Sequence, residues 1–296
     1  MKMFEVLEKR TLAEGIYLTR VYAPRIARSA KPGQFIIVRA DEKGERIPLT
    51  IADYEVEAGS VTMVTQALGV STRKIVAREV GECFADVAGP LGRPSDFVAE
   101  PLEELQGKRF VFIGGGVGTA PVYPQVKWLA EHGVKVDVII GAKSKDMLIY
   151  TEEMEKVAGN MYICTDDGSA GFHGLVTARL EKLINEEGKQ YDCCVAIGPM
   201  IMMKFVTLTA KKFELPCIVS LNALMVDGTG MCGACRVSVG GKTRFTCVDG
   251  PEFNAYEVDF DEAMRRQGMY RTQEQRALAI ARERAEGHKC NIGLDK

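Results

Sequence analysis

Over roughly the first 100 positions, apolar residues recur in the short alternating stretches expected of half-buried strands. Ile16, Leu18 and Tyr22 fall on one parity, Val61, Met63 and Thr65 alternate after Gly59, and Phe35-Ile36-Ile37-Val38 follows the turn residues Pro32-Gly33. Short strands punctuated by Gly and Pro predict an antiparallel β-barrel. One helix interrupts them, Thr72 to Arg78, opened by Gly69-Val70-Ser71-Thr72. Near residue 105 the rhythm changes. Arg109-Phe110-Val111-Phe112-Ile113 runs into Gly114-Gly115-Gly116-Val117-Gly118 and then into a helical stretch through Trp128-Leu129. Further apolar runs at Val134–Ile140, Met161–Cys164, Cys193–Ile197 and Pro216–Leu221 are separated by helix-like segments, including Leu175–Ile184 and Met200–Lys212. Strands alternating with helices predict an α/β doubly wound parallel sheet, which takes ligands at the C-terminal ends of its strands.

From about residue 222 the chain becomes rich in glycine and cysteine. From Phe260 onward, Met264-Arg265-Arg266, Arg276-Ala277-Leu278-Ala279-Ile280 and Arg282-Glu283-Arg284 read as one charged surface helix, either solvated or a contact for a partner. The expected units are therefore a barrel over 1–102, an α/β unit over 103–221, a small module over 222–250 and a helical tail over 251–296.

Composition narrows the classes. Of 296 residues, 46% are hydrophobic and 26% charged, which excludes wholesale disorder. The 38 Lys and Arg nearly cancel the 40 Asp and Glu, leaving −2, so a nucleic-acid binder held by a basic surface is not expected. No run approaches the ~18–20 apolar residues that span a bilayer. Met1-Lys2-Met3-Phe4-Glu5 reaches an acidic residue at once, with no apolar core of a signal peptide. A cytoplasmic protein with no membrane contact is expected. In a reducing compartment disulfides are rare, and clustered cysteines more often hold metal. Of the nine, Cys232, Cys235 and Cys247 lie close together among glycines, whereas Cys83, Cys164, Cys193, Cys194, Cys217 and Cys290 read as small apolar residues.

The sharpest signal is Asp227-Gly228-Thr229-Gly230-Met231-Cys232-Gly233-Ala234-Cys235, followed by Cys247. A plant-type [2Fe–2S] site uses Cys-x4-Cys-x2-Cys and a distant fourth Cys, and here Asp227 occupies the place of the first. Gly240-Gly241 suits a two-residue hairpin turn, because both positions tolerate positive φ. Such a turn pairs Val239 with Lys242 and Cys235 with Thr246, which returns Cys247 beside Cys235. Zinc held by three cysteines and an aspartate is an alternative. So are Cys217 as the fourth ligand and thiols that carry no metal.

The loop Gly114–Gly118, continued by Thr119-Ala120-Pro121, leaves a strand and opens a helix, as a phosphate-binding loop does. It departs from Gly-x-Gly-x-x-Gly because Thr119 stands at the third glycine, and a tight structural turn is the competing explanation. Thr165-Asp166-Asp167-Gly168-Ser169 follows the third apolar run of the sheet. His132, His173 and His288 show no acid–base pattern and read as surface residues.

Barrel first, Gly-Gly-x-Gly-Thr-Ala-Pro second and the turn Gly198-Pro199-Met200-Ile201-Met202 late in the sheet resemble the ferredoxin–NADP reductase superfamily. With the cysteine module appended, the chain is similar to electron-transfer subunits of bacterial dihydroorotate dehydrogenase. It is more similar still to the small (alpha) subunits of NADH-dependent reduced ferredoxin:NADP oxidoreductases, also called sulfide dehydrogenases, in which an Asp joins three Cys on a [2Fe–2S] cluster. The resemblance implies FAD in the barrel, NAD(H) in the second unit and a cluster held by Asp227, Cys232, Cys235 and Cys247. The family's Arg-x-Tyr-Ser flavin motif falls on Ile47-Pro48-Leu49-Thr50, with Thr50 in the Ser role at the flavin N5 edge, Leu49 replacing the aromatic ring, and the Arg displaced to Arg46.

Gly69, Val70, Ser71 and Thr72 match the turn that meets the FAD pyrophosphate, and Gly89-Pro90-Leu91-Gly92 the turn that closes the barrel. Gly115, Gly116, Val117, Gly118 and Thr119, with Gly198, Pro199 and Met200, fall at the nicotinamide dinucleotide, and Asp166 and Asp167 near its ribose. The resemblance thus implies a carboxylate that binds the 2′-hydroxyl and repels a 2′-phosphate, favouring NADH, whereas Lys143 and Lys145 leave a path for NADPH. The implied function is an electron-transfer flavoprotein, an oxidoreductase subunit between NAD(H), FAD and a [2Fe–2S] cluster. The implied partner is a larger flavoprotein subunit carrying [4Fe–4S] clusters, in electron-bifurcating chemistry with ferredoxin and NADP. Alternatives are a dihydroorotate dehydrogenase, a sulfide- or polysulfide-reducing complex, and a zinc-bearing NAD-binding regulator.

Overall fold

The computed structural model describes residues 1–285; His288 and Cys290 lie outside them. The N-terminal strands are β1 (Val6–Ala13), β2 (Ile16–Tyr22), β3 (Phe35–Arg39), β4 (Arg46–Glu55), β5 (Ser60–Gln66) and β6 (Asp86–Leu91). They form one antiparallel sheet in the order β1-β2-β5-β4-β3-β6. Its two edges meet through a bridge between Glu5 and Cys83, with the Val6 amide donating to the Glu82 carbonyl at 2.8 Å and the Phe84 amide to the Phe4 carbonyl at 3.1 Å. That closure makes the sheet a barrel and removes its free edges. Val6, Val21, Ile36, Val38, Ile51 and Met63 fill the interior, each at most 2% exposed. Burying an aliphatic side chain of this size contributes about 1.5–3 kcal/mol, so the alternating residues hold the barrel.

The second sheet holds β7 (Phe110–Gly115), β8 (Asp137–Ala142), β9 (Asn160–Thr165), β10 (Phe172–His173), β11 (Cys193–Ile197) and β12 (Cys217–Ser220). These are parallel, in the order β10-β9-β8-β7-β11-β12. From β7 the chain steps outward to β8, β9 and β10 on one side, and then returns to lay β11 and β12 on the other. The switch point therefore lies between the C-terminal ends of β7 and β11, where doubly wound sheets bind ligands. No helix among the described residues is long and apolar enough to cross a membrane.

The last strands are the hairpin β13 (Arg236–Val239) and β14 (Lys242–Phe245), and then β15 (Glu252–Asn254). The hairpin turns at Gly240 and Gly241, with φ of +59° and +71°, and pairs Val239 with Lys242. Strand β15 runs antiparallel along β12 as the outer strand of the parallel sheet. The cysteine module thus leaves the sheet after β12 and returns to it.

Three expectations need correction. The helix expected at Thr72 to Arg78 runs Val70–Val76, because the Thr72 hydroxyl accepts from the Gly69 amide at 2.9 Å and starts the helix two residues earlier. The tail is two helices rather than one. Phe260–Gln267 buries Phe260 and Ala263, while Arg271–Ala285, beyond the break at Gly268, is largely exposed and passes alongside helix Val70–Val76. His132 is not a free surface residue: its ring stacks on Trp128 at 3.8 Å, and its Nδ1 lies 2.7 Å from the Trp128 carbonyl.

Barrel and sheet share an apolar seam in which Ile16, Leu18 and Val64 meet Ala120, Ile149 and Tyr150. Two ion pairs cross the same boundary, Lys127–Asp53 at 2.8 Å and Arg10–Glu153 at 2.7 Å. Partly exposed pairs are each worth about 0–1 kcal/mol, so the seam fixes the two units and the ion pairs orient it.

Candidate functional site

The predicted residues fall on three adjoining surfaces. On the barrel, Arg46, Ile47, Pro48, Leu49 and Thr50 are all partly open, although their partners Phe35, Ile36, Ile37 and Val38 on β3 are buried. A strand backed by a sealed neighbour and left open along one side can cradle a planar group. Gly69, Val70, Ser71 and Thr72 lie at the start of helix Val70–Val76, whose first amides lack helical acceptors. The Ser71 hydroxyl donates to the Glu45 carboxylate. Gly89 lies against β3, where a Cβ would stand 2.7 Å from Ile36 Cγ2. Arg46 does not extend along the barrel: its Nε donates to the Val226 carbonyl at 3.0 Å and one terminal nitrogen stands 3.5 Å from Asp86.

The second surface is the switch point. Gly118 has ordinary helical angles, φ −62° and ψ −11°, yet a Cβ there would stand 2.3 Å from the Ile197 carbonyl oxygen. At Gly115 a Cβ would stand 2.2 Å from the Met202 sulfur and 3.3 Å from Pro199 Cδ. The glycine loop and the Gly198-Pro199-Met200 turn therefore interlock at the ends of β7 and β11. Val117 is partly open beside them, and Thr119 is fully buried, with a hydroxyl that has no hydrogen-bond partner among the described residues. An unpartnered buried hydroxyl at the head of a helix is a donor ready for a phosphate or amide oxygen.

Two strands away, Asp166 and Asp167 follow β9. Asp167 accepts from the Ser169 hydroxyl at 2.6 Å and amide at 2.9 Å, and these bonds hold its carboxyl below the usual carboxylate range. Asp166 is exposed.

The third surface is the cysteine loop. Gly228, Gly230 and Gly233 have φ of +75°, +83° and +65°, conformations that favour glycine. Cys235 and Cys247 are buried in an apolar cluster with Phe35, Ile37 and Met225, and the Cys247 amide points at the Cys235 sulfur at 3.4 Å. Burial, and next the Cys235 thiol, pushes the Cys247 thiol up to about 12, while the Gly230 amide points at it and opposes the rise.

Asp227 accepts from the amides of Thr229 at 2.9 Å and Cys232 at 2.7 Å. The Thr229 bond is the main reason its carboxyl sits below the usual range, and the Cys232 thiol also bonds to it. The four side chains thus form two adjacent pairs, Cys235 with Cys247 and Asp227 with Cys232. Among the described residues, no three His, Cys, Asp or Glu side chains converge on one point. Cys217 is not with them: it pairs with Cys194 between β12 and β11. The fit to a cluster rests on the donor set, three thiols and a carboxylate, on a loop whose glycine conformations let amides face the sulfurs. Cys232 is exposed, and Met231, Val226 and Val248 around it are 88%, 50% and 37% exposed.

Sequence reasoning missed the Val226 carbonyl as the acceptor of Arg46. It also missed the junction at which buried Ser95 and Gln125 both donate to the partly exposed Glu252. Neither leaves a local signature, because each joins segments far apart in the chain.

Comparison with known proteins adds independent information. The family described as the iron–sulfur cluster binding domain of dihydroorotate dehydrogenase B matches residues 222–259, and the oxidoreductase NAD-binding domain matches residues 112–207. An uncharacterized protein of the adh 3′ region of Clostridium beijerinckii is 56% identical over 296 residues, covering 99% of this chain and 100% of its own. A Thermotoga maritima homologue of the electron transfer subunit of dihydroorotate dehydrogenase B (NAD(+)) is 46% identical over 270 residues, covering 91% and 92%. The corresponding electron transfer subunit of Shouchella clausii is 34% identical over 261 residues, covering 86% and 96%. Among solved structures, a chain of NADH-dependent reduced ferredoxin–NADP oxidoreductase superposes with a TM-score of 0.86 at 42% identity, covering 95% of this chain and 98% of that one. An Amycolatopsis cytochrome P450 reductase, at 21% identity and TM-score 0.58 over 70% of this chain and 64% of its own, shares the fold.

Proposed function

We propose, from the premise that this chain belongs to the family of dihydroorotate dehydrogenase B electron-transfer subunits and their homologues, that it relays electrons between NAD(H), FAD and a [2Fe–2S] cluster. Membership makes it an oxidoreductase subunit of a heteromeric complex, with an NAD-binding domain and an iron–sulfur domain. When bound, the flavin exchanges a hydride with a nicotinamide on one side and single electrons with a cluster on the other.

One observation carries the reading. Cys235 and Cys247 pack with Phe35 and Ile37 of β3, and those two residues pair with Thr50 and Pro48 of β4. Neighbouring strands lie about 4.8 Å apart, so the cluster loop is one strand from the open flavin edge. Asp227, Cys232, Cys235 and Cys247 hold the cluster. On the barrel, the Thr50 hydroxyl serves the flavin N5 edge beside Pro48 and Leu49, while Gly69, Val70, Ser71, Thr72 and Gly89 line the pyrophosphate. Arg46, engaged with Val226 and Asp86, braces the cluster loop against the barrel.

Gly115, Gly116, Val117, Gly118 and the Thr119 hydroxyl receive the dinucleotide, Gly198, Pro199 and Met200 close its nicotinamide end, and Asp166 and Asp167 face its ribose and favour NADH. The exposed Met231, Val226 and Val248 around Cys232 offer the landing surface for a larger flavoprotein subunit. The 42% identity over 95% of the chain supports electron-bifurcating, NADH-dependent ferredoxin:NADP oxidoreduction, with [4Fe–4S] clusters on that partner. The 34% identical electron transfer subunit supports a second reading, a dihydroorotate-oxidising partner.

The test is an anaerobic visible spectrum of the purified chain before and after NADH, with iron and flavin assays. The reading expects a flavin band that bleaches and about two Fe per chain. A colourless protein containing zinc overturns it. Cys232→Ser should remove or cripple the cluster while NADH still bleaches the flavin; loss of both would overturn the arrangement of the three surfaces.

A further inference from the structure

Tyr150 has φ +59° and ψ +20°, the left-handed region, and its carbonyl accepts from the Met154 amide at 2.9 Å as helix Thr151–Glu155 begins. A bulky residue is rarely held there, because its Cβ crowds the following carbonyl oxygen. Phe4 and Glu214 are the other described non-glycine residues with positive φ, and neither lies on the seam between barrel and sheet. Tyr150 does. It is 5% exposed, and its ring centroid stands 5.2 Å from that of Tyr123, with the planes at 54°. Backbone strain of this kind persists only where the surroundings hold the residue in place.

Barrel residues Ile16, Leu18, Ala52 and Val64 form the facing wall of the seam, and Val117 of the glycine loop packs against the same cluster. Ala52 stands on β4 two positions after Thr50 and four after Pro48, so the three share the outer side of the barrel, opposite Ile47, Leu49 and Ile51 in its interior. Strand β5 lies against the glycine loop as well. The ring thus sits where the flavin strand and the dinucleotide loop meet. Ion pairs hold both flanks: Asp53, next to Ala52, with Lys127, and Glu153, three residues after Tyr150, with Arg10.

We propose that Tyr150 is a positioning residue for hydride transfer, its ring the spacer that sets the height of loop Gly114–Gly118 above the flavin edge at Thr50. The proposal rests on the function argued above. Reacting atoms must lie about 3–3.5 Å apart, and a misplacement of about 1 Å can cost about a hundredfold in rate. A closely packed interior closes over a missing ring only by moving its walls. Barrel and parallel sheet are each hydrogen-bonded within themselves, so the boundary between them gives first. That boundary carries Val117 on one side and the strand of Thr50 on the other.

The experiment uses the holo-chain with FAD and cluster, and compares wild type, Tyr150→Phe, Tyr150→Leu and Tyr150→Gly. Tyr150→Gly removes the ring and releases the backbone, so it is the ringless variant best able to fold; Tyr150→Leu keeps apolar volume without a ring. Anaerobic single-turnover reduction of the flavin by NADH is read as a limiting rate and an apparent Kd. The flavin–NADH complex is read by its long-wavelength charge-transfer absorbance, and stability by the thermal midpoint. Tyr150→Phe should keep the limiting rate within about twofold. Tyr150→Gly should lose about tenfold or more and Tyr150→Leu about threefold or more, both with a weaker charge-transfer band and a Kd within about threefold of wild type. A role in stability alone would lower the midpoint and leave the limiting rate and the band unchanged, and that result overturns the proposal. So does an effect confined to Kd, or a Tyr150→Phe variant as slow as Tyr150→Gly. Should Tyr150→Gly not fold, Tyr150→Leu decides by the same readings. A wild type whose bound flavin NADH does not reduce overturns the functional reading and the proposal with it. A reduced wild type beside ringless variants of wild-type rate overturns the proposal alone.

Discussion

Gly114–Gly118 and Gly228–Gly233 are two glycine-rich loops of similar composition, and they need glycine for different reasons. In the first, Gly118 has a conformation open to any residue, and what forbids a side chain is the Ile197 carbonyl 2.3 Å from where a Cβ would be. In the second, all three glycines have positive φ, and Gly233 has only ordinary contacts around it. One loop is made of glycine chiefly so that two strand ends can interlock, with Gly116 at φ +55° and open space around it as the exception. The other is made of glycine chiefly so that the backbone can curl through left-handed turns. A glycine count cannot tell packing from conformation.

Substitutions that separate the two reasons sharpen the contrast. Gly118→Ala should be the most damaging, because backbone cannot yield as a flexible side chain does; a loss of about 3 kcal/mol is expected in urea unfolding. Gly228→Ala combines φ of +75° with a Cβ 2.7 Å from Ile37 Cδ1 and 2.8 Å from Leu91 Cδ1. There the flexible side-chain ends can move, so about 1–2 kcal/mol is expected, with iron content falling while NADH still bleaches the flavin. Gly116→Ala meets nothing within 4 Å at φ +55°, so about 1 kcal/mol is expected, from conformation alone. A Gly116→Ala loss as large as that of Gly118→Ala would erase the distinction. Asp227→Cys removes the carboxylate that accepts from the Thr229 and Cys232 amides, so a loss of about 0.5–1 kcal/mol is expected, and it should keep a [2Fe–2S] cluster with a shifted EPR signal. An unchanged signal would remove Asp227 from the ligand set.

Much of this was legible in the sequence, and where it was not the reason is physical. Cys193–Ile197 and Met200–Lys212 coincide with elements of the structure, because a buried parallel strand and an adjoining helix each leave a strong local period. The Gly240-Gly241 turn fixed the hairpin register for the same local reason. The tail misled because charge dominates it; from Phe260 on, only Phe260 and Ala263 among the described residues are spent on the core, too few to signal a break. In the candidate site, the cysteine spacing was visible because Cys232, Cys235 and Cys247 lie close together in one glycine-rich stretch of chain. Arg46 and Glu252 were not, since their partners at Val226, Ser95 and Gln125 are 180, 157 and 127 residues away along the chain.

Strand β15 has a consequence for anyone who would dissect the chain. It covers Cys217–Ser220 along its length, pairing Ile218 with Asn254 and Ser220 with Glu252. A fragment cut after residue 221, the natural place to isolate the flavin and dinucleotide halves, would leave that apolar strand as an uncapped edge, open to pairing with another molecule. The segment that matches an iron–sulfur cluster binding domain is also the guard against aggregation of the rest, so it cannot be clipped off without making the remainder sticky.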